Sequence, residues 1–375
     1  MNDQTSYQEN VDRAKRKKKR TIMIVSIVIG AVILHVAAAV CVFVLFFPMI
    51  KGYLNENGIT LPSRQTDEEP QSVEIVIPKG ETRIQDNAYA GRKDITSVVI
   101  PEGVAEIGVE AFKNCTKLES VTIPSSVTVI GEGAFRGCSS LTSVTIPGGV
   151  AYVPAYAFCE CKSLTSVTLP ASVTEIKDHA FDHCDRLDHF TIPERVRTIG
   201  EYAFYYCSGL TAIVFPESVE KIGTAAFTCC TSLTEVRLPP YLRKVEPLLF
   251  SYCTGLRSVW IGGYAQEIKE QAFVGCSNLT ELTVANGVRR IEGYAFLSTN
   301  LTSVSLPATI TYLGYETFGN CKSLGEITFA GTMTQWNNID KPSLWKERTP
   351  RVIVRCSNGN VLEDGRKKSV RRANA

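Results

Sequence analysis

A 23-residue pattern of hydrophobic and polar positions fills most of the chain. The aromatic residue of an Ala-Phe-x-x-Cys signature recurs every 23 residues from Phe112 to Phe296, and Phe318 follows after 22. Tyr89 occupies the same position in a degenerate first copy. Self-similarity at a fixed period of this length predicts a repeat architecture, in which each copy is one structural unit.

The pattern of each copy predicts a short strand, then a turn, and then a group of apolar residues that point into the core. In the copy from Leu118 to Cys138, Val121 and Ile123 alternate with polar residues, which is the period of a half-buried strand. Pro124 and its equivalents end each predicted strand, and Gly131 is predicted to mark a bend. The residues expected to point inward after the proline are Val127, Ile130, Ala134 and Phe135.

No single copy can bury this many apolar groups, so the copies must stack. Stacked strands lie about 4.8 Å apart, which would align equivalent residues into continuous ladders. We therefore predict a β-rich solenoid over residues 72–330, with about twelve 23-residue coils and one parallel sheet face.

These residues resemble the BspA-like leucine-rich repeat proteins that are common on bacterial cell surfaces. The resemblance covers Ser72 to Ala330 and continues into a predicted C-terminal cap at residues 331–363. There Trp336 and Trp345 are large enough to cover the end of a solenoid, and Val352–Cys356 begins a predicted hairpin. The resemblance implies a surface adhesion or protein-binding role.

An uncharged apolar segment precedes the repeats. Residues 21–47 contain no Asp, Glu, Lys or Arg, and a helix of that length would span roughly 40 Å, more than a hydrocarbon core. Residues 1–20 before it are basic, which predicts a cytoplasmic tail, a transmembrane signal anchor and a stalk over residues 48–71. A cleaved signal peptide is the rival, but its apolar region is usually only about 7–15 residues long. We expect a single-pass protein of the bacterial cell membrane with its repeats outside.

The near-neutral net charge of +2 hides three different segments. Residues 1–20 carry 7 basic and 3 acidic residues, the basic tail at residues 364–375 carries 5 basic residues and one acidic residue, and the remainder carries 28 basic and 34 acidic residues. A mildly acidic repeat region argues against a nucleic-acid partner. The basic run before the apolar segment suits membrane topology, and the basic tail could contact anionic wall polymers.

Nine of the 13 cysteines occupy one position of the repeat. Neighbouring members could come within disulfide range, but all would point the same way, and Thr299 replaces one of them. We therefore favour buried free thiols over disulfides, and both over a metal site. The nine are Cys115, Cys138, Cys161, Cys184, Cys207, Cys230, Cys253, Cys276 and Cys321.

Candidate catalytic or metal chemistry is confined to one copy, which is rich in His and Asp. His179 and His183 are four residues apart, a spacing that metal sites use on helices, and Asp178, Asp182 and Asp185 lie beside them. The alternative is that these are variable exposed positions, and the strict register of Phe181 argues against a helix there. No phosphate loop or nucleophile motif is present, so we expect neither an enzyme nor a cofactor.

The outward positions of the predicted strands indicate a candidate contact surface. Most copies carry Ser or Thr there, whereas five consecutive strands depart from this rule. An exposed Trp beside an Arg is the pairing that interface hot spots favour. The alternative is a local cation–π pair of Trp260 and Arg237 that binds nothing. The predicted partner-binding residues are His189, Val214, Glu235, Arg237, Trp260 and Glu281.

Two functions follow from these features. The first is a membrane-anchored extracellular adhesion module that binds a protein or glycan through the exposed sheet face. The second is a structural protein of the envelope that organises the wall without a specific ligand. The departures from a uniform Ser/Thr face favour the first.

Overall fold

The computed structural model of the protein describes residues 72–363. Each coil of the chain contributes one strand to a first series, and the members that are hydrogen-bonded to each other run parallel, with breaks in the pairing after β5, β9 and β13. This series contains β1 Val73–Val76, β3 Ile95–Val99, β5 Ser120–Thr122, β7 Ser143–Thr145, β9 Ser166–Thr168, β11 His189–Thr191, β13 Ala212–Val214, β15 Glu235–Arg237, β17 Ser258–Ile261, β19 Glu281–Val284, β21 Ser303–Leu306 and β23 Glu326–Phe329.

A second series of two-residue strands lies after the proline turn. The sequence pattern predicted one parallel sheet face, and this second face is a difference from it. Its strands form because alternate residues at this point, such as Ile130, are buried while their neighbours face outward. The series contains β2 Arg83–Ile84, β4 Glu106–Ile107, β6 Val129–Ile130, β8 Tyr152–Val153, β10 Glu175–Ile176, β12 Thr198–Ile199, β14 Lys221–Ile222, β16 Lys244–Val245, β18 Glu267–Ile268, β20 Arg290–Ile291 and β22 Tyr312–Leu313.

The core is a set of ladders that run along the solenoid. The phenylalanine rings from Phe112 to Phe318 are fully buried and stack coil on coil, with centroids 5.1–5.6 Å apart. Each ring therefore contacts its equivalents in the coil before and the coil after. Stacking of this kind confines the tertiary contacts of a coil to its two neighbours.

The glycine at the predicted bend has a different role from the one expected. Gly131 does not adopt a left-handed conformation; instead, a Cβ there would overlap the backbone of Gly108 and Val109 in the preceding coil. The left-handed residues lie directly before the Ala and directly before the Cys of each copy, at Gly133 and Gly137 for example. Glycine at position 131 thus permits close approach of two coils.

A cap covers the C-terminal end of the solenoid. The helix α1, Met333–Asn337, begins with a capping box between Thr332 and Gln335. Trp336 is fully buried and contacts both Phe329, at 5.4 Å between ring centroids, and Trp345, at 5.8 Å. The strand β24, Val352–Cys356, pairs in parallel with β23 and forms an antiparallel hairpin with β25, Gly359–Glu363.

The predicted fold class, a solenoid preceded by a single transmembrane helix, needs correction. A β-solenoid of about twelve coils is present, but no helix within residues 72–363 is long and apolar enough to cross a membrane. The α-helix of this part has five residues, whereas a span needs about 20. The predicted tail at 1–20, span at 21–47, stalk at 48–71 and basic tail at 364–375 lie outside the described residues, and the domain boundaries stay predictions.

Candidate binding surface

The outward residues of the first strand series form the surface that the sequence pattern singled out. On β15 and β17, Val236 and Val259 are buried, and the residues on either side of them face outward. The strand register places Arg237 directly opposite Trp260, and Trp260 opposite Thr283 on β19. Arg237 and Trp260 are therefore brought together, as neighbours on one face of a parallel sheet.

The position of the Trp260 ring depends on a glycine. Most copies carry a proline two residues after this strand position, whereas this copy carries Gly262. A Cβ at Gly262 would overlap the indole ring, so the missing side chain makes room for Trp260 to lie against the backbone. The Arg237 guanidinium carbon lies 5.5 Å from the indole centroid, in a cation–π contact. The half-buried ring therefore lies against both Gly262 and Arg237.

The other predicted residues lie around this pair at different distances. Glu235 and Glu281 are exposed and flank Ser258 in the neighbouring column of the same sheet. Val214 is 79% exposed, but its strand β13 is hydrogen-bonded to β11 and has no hydrogen-bonded pairing with β15. His189, on β11, lies opposite Ala212 of β13. It is three coils from Ser258 and is therefore the most distant of the predicted residues.

The cysteine ladder consists of free thiols, as predicted. Each thiol donates a hydrogen bond to the carbonyl of the aromatic residue of the preceding coil, which is Tyr89 for Cys115 and phenylalanine for the others; for Cys138 the distance from Sγ to the Phe112 oxygen is 3.2 Å. Where Thr299 replaces cysteine, its hydroxyl donates to the Phe296 carbonyl instead. Burial raises the pKa of the Cys138 thiol well above its ordinary value, so the ladder thiols are uncharged and face the core.

The histidine and aspartate cluster forms a network of its own. His179 and His183 lie in turns with left-handed backbone conformations, and no helix joins them. Their Nδ1 atoms lie 2.9 and 2.6 Å from the two carboxylate oxygens of Asp182. The ring of His179 is stacked between Tyr156 and Tyr202. The carboxylate thus bridges the two rings, and within residues 72–363 no group of three His, Cys, Asp or Glu is arranged to hold a metal ion.

A groove on the second strand series was not predicted. It has a volume of about 670 Å³ and lies between β14 and β16, where Tyr241 and Tyr264 line it together with Arg243. The sequence does contain a feature that marks this groove. The second residue after the turn proline is Gly or Ser in most copies, but it is Tyr in the two copies that line the groove. The outward positions of the first strands, where the predicted contact surface lies, do not include these tyrosines.

Comparison with known proteins agrees with this geometry. The model of the BspA type leucine-rich repeat region matches the chain in six copies, at residues 68–188, 174–296 and 250–339. No curated protein matches the chain. The matching family is a repeat scaffold, and no catalytic family is indicated.

Three solved structures illustrate the likeness. A leucine-rich repeat protein from Bacteroides ovatus is 30% identical, with 68% of this chain and 81% of that chain covered and a TM-score of 0.50. A leucine-rich cell surface protein from Faecalibacterium prausnitzii is 27% identical over 72% and 91% of the two chains, with a TM-score of 0.36. The pneumococcal vaccine antigen PcpA shares the fold at 17% identity, over 78% and 80% of the chains, with a TM-score of 0.54.

The three matched segments together span more than half of the chain, and their limits enclose the ladders of phenylalanine and cysteine described above. The chain belongs to the BspA-type leucine-rich repeat family.

Proposed function

We propose that the protein is an adhesion module of the bacterial cell surface, which binds a protein ligand through the exposed face of its first strand series. The observation that carries this proposal is the pairing of Trp260 with Arg237 on a face that is otherwise mostly Ser and Thr. Membership of a family of bacterial surface proteins supports the location. The repeats would then lie outside the cell, where a partner can reach them.

The chemistry of this face suits a protein partner. Trp and Arg are enriched among the residues that dominate binding energies, because a large flat ring buries much surface and a planar guanidinium both stacks and forms several hydrogen bonds. Glu235 and Glu281 surround the pair with negative charge and form no ion pair with the described residues. A ligand with an apolar anchor and basic flanking residues would complement this arrangement.

A variant pair tests the proposal. The whole protein is used to capture ligands from extracellular-matrix and cell-wall fractions, and the captured proteins are identified by mass spectrometry. Trp260→Ala and Arg237→Ala are expected to weaken binding of the captured ligand by about 30-fold each, the effect of losing a hot spot of about 2 kcal/mol. Thr145→Ala, at the equivalent outward position on β7, is the matched control and should bind like the wild type.

Undiminished affinity of the Trp260→Ala variant would overturn this assignment of the surface. If no fraction yields a ligand that depends on the face, the alternative of a wall-organising structural protein is favoured. Protease treatment of intact cells tests the location separately: cleavage of the repeats without lysis supports an outside location, and full protection contradicts it.

A further inference from the structure

The groove between β14 and β16 opens where the second sheet is interrupted. β14 pairs with β12 and β16 pairs with β18, but β14 and β16, in adjacent coils, form no hydrogen-bonded pair. The groove of about 670 Å³ lies at this interruption and is lined by both strands. It lies on the second strand series, whereas Trp260 belongs to the first.

Two exposed tyrosines stand at this groove. Tyr241 and Tyr264 are 51% and 61% exposed, and their rings stack with centroids 5.4 Å apart. In several other coils the same position holds a serine whose hydroxyl donates to a backbone carbonyl of the preceding coil, as Ser218 does to Val196. The two tyrosines make no such bond, and neither hydroxyl has a hydrogen-bond partner among residues 72–363. They form an aromatic platform open to a ligand.

Three cationic side chains line the same groove, and two of them form no ion pair with the described residues. Arg243 and Lys221 are exposed and form no ion pair with the described residues, whereas the groove carboxylate of Glu220 lies 3.3 Å from Arg197. Lys244 makes only a long contact of 3.8 Å with Glu267. The cationic groups of this groove are thus available to an anion, while one of its two carboxylates, Glu220, is already engaged.

The arginines also repeat along the solenoid. Arg197, Arg243 and Arg289 occupy one position of the 23-residue repeat, and backbone hydrogen bonds connect Arg243 to Arg289 through the intervening Gln266. Successive members are two coils apart, roughly 10 Å at the spacing of paired strands. A ligand that extends along the axis would therefore meet one arginine for every two coils.

We propose that this groove binds an acidic polysaccharide in which acidic sugars alternate with neutral ones. A pyranose ring has a flat face of C–H groups, and this face stacks on the exposed Tyr241–Tyr264 pair. The carboxylate or sulfate of an adjacent sugar then pairs with Arg243, whose planar fork matches such oxyanions. The extended chain would carry its next acidic group towards Arg289.

The two features together favour this ligand over others. An acidic peptide would use the cations but gains little from two stacked rings with free hydroxyl groups. A neutral polysaccharide would use the rings but leave Arg243 and Lys221 unpaired. Of these three ligands, the acidic polysaccharide is the one that engages all four side chains.

Binding of defined oligosaccharides to the whole protein tests the proposal. A hyaluronan octasaccharide is the probe, a chitin octasaccharide is the neutral comparison, and a polyglutamate peptide is the acidic comparison, all measured by calorimetry at two salt concentrations. The wild type is expected to bind hyaluronan at least about tenfold more tightly than either comparison. The affinity should fall at the higher salt concentration, because exposed ion pairs are screened.

Matched variants locate the site. Tyr241→Ala, Tyr264→Ala and Arg243→Gln should each weaken hyaluronan binding by about tenfold or more, and Arg243→Gln should also reduce its salt dependence. Tyr252→Ala, an equally exposed tyrosine on the opposite turn of the same coil, and Arg186→Gln should bind like the wild type. Circular dichroism confirms that each variant is folded.

Several results would overturn the proposal. These are no binding of hyaluronan, equal binding of the neutral or peptide comparison, or equal losses in the Tyr252 and Arg186 controls. Trp260→Ala should leave hyaluronan binding unchanged. The proposal for the groove and the proposal for the adhesion face are therefore tested independently.

Discussion

At the scale of single residues, the repeat is held by bonds that each coil makes to the previous one. The Cys207 thiol donates to the carbonyl oxygen of Phe181, 26 residues earlier, at 3.1 Å, and Cys184 does the same to Phe158. A thiol is small enough to be fully buried, and it gives a second donor to a carbonyl that already accepts a backbone N–H of its own coil. In the short copy Thr299 donates to the Phe296 carbonyl of its own coil, so this position makes no such bond to the preceding coil there.

Alkaline conditions should destabilise the protein through these thiols. Burial raises the pKa of Cys115 from 9.0 to about 11, so in the folded protein this thiol keeps its proton when the unfolded chain has lost it. Stability is therefore greatest below pH 9 and falls as the pH rises from about 9 towards 11. For Cys115 the fall in the free energy of unfolding between pH 9 and 10 is on the order of 1 kcal/mol.

Urea denaturation at pH 8, 9 and 10 measures this effect, with Cys115→Ser as the comparison because serine keeps a donor and does not ionise. The variant should lose less stability across this range than the wild type. Parallel pH profiles of the two proteins would contradict the prediction.

Backbone conformation at the turns gives a second residue-scale prediction. Gly133 and Ala225 occupy the same turn position in different coils, with φ of 60° and 56°. A Cβ is unfavourable in this left-handed region, by about 1–2 kcal/mol. Gly133→Ala should therefore lower the free energy of unfolding by about 1 kcal/mol, and Ala225→Gly should raise it by somewhat less, because glycine gains entropy in the unfolded chain. Urea denaturation of both variants measures whether the free energy of unfolding changes in opposite directions. Two changes in the same direction would refute the explanation.

At the scale of elements, the phenylalanine ladder couples successive coils. Phe204 is fully buried, and its ring stacks on Phe181 at 5.3 Å and on Phe227 at 5.1 Å. Phe190 also meets it edge-on, at 4.8 Å. A single ring therefore belongs to two interfaces between coils, and in a linear array such interfaces supply much of the stability.

Removal of one ring should consequently be costly. Phe204→Ala is expected to lower the free energy of unfolding by about 3–5 kcal/mol, because the lost burial is accompanied by a cavity between two coils. Phe204→Leu fills most of that volume and should cost much less. Equilibrium unfolding in urea compares them, and equal losses in both variants would show that volume is not the controlling factor.

At the scale of the whole molecule, the solenoid requires a cap. The last phenylalanine of the ladder, Phe318, is covered by Trp345 at 6.1 Å, and Trp336 covers Phe329. The indole N–H of Trp336 donates to the Glu363 carboxylate at 2.8 Å, which ties the end of the hairpin back onto α1. The cap thus prevents the apolar end and the open strand edge from meeting another molecule.

Truncation of the cap should make the protein aggregate. A chain that ends at residue 330 exposes Phe318 and Phe329 together with the unpaired edge of β23, and a chain that ends at residue 363 keeps both covered. We expect the first to sediment as large species in analytical ultracentrifugation and the second to behave like the full chain. A monodisperse product of the shorter truncation would contradict this role of the cap.

The sequence by itself determined the ladders, because a 23-residue period leaves only one register in which Phe112 to Phe318 and the cysteines can all be buried. It also determined that Arg237 and Trp260 are neighbours, since both lie at one position of consecutive copies. Whether that face binds a partner stays a prediction. The tertiary structure alone decided which strands lose their pairing and so where the groove at Tyr241 opens. Hydrogen bonds between two strands depend on how their backbones are placed relative to each other. The pattern of side chains fixes that placement only at positions where equivalent residues of consecutive coils are buried against each other.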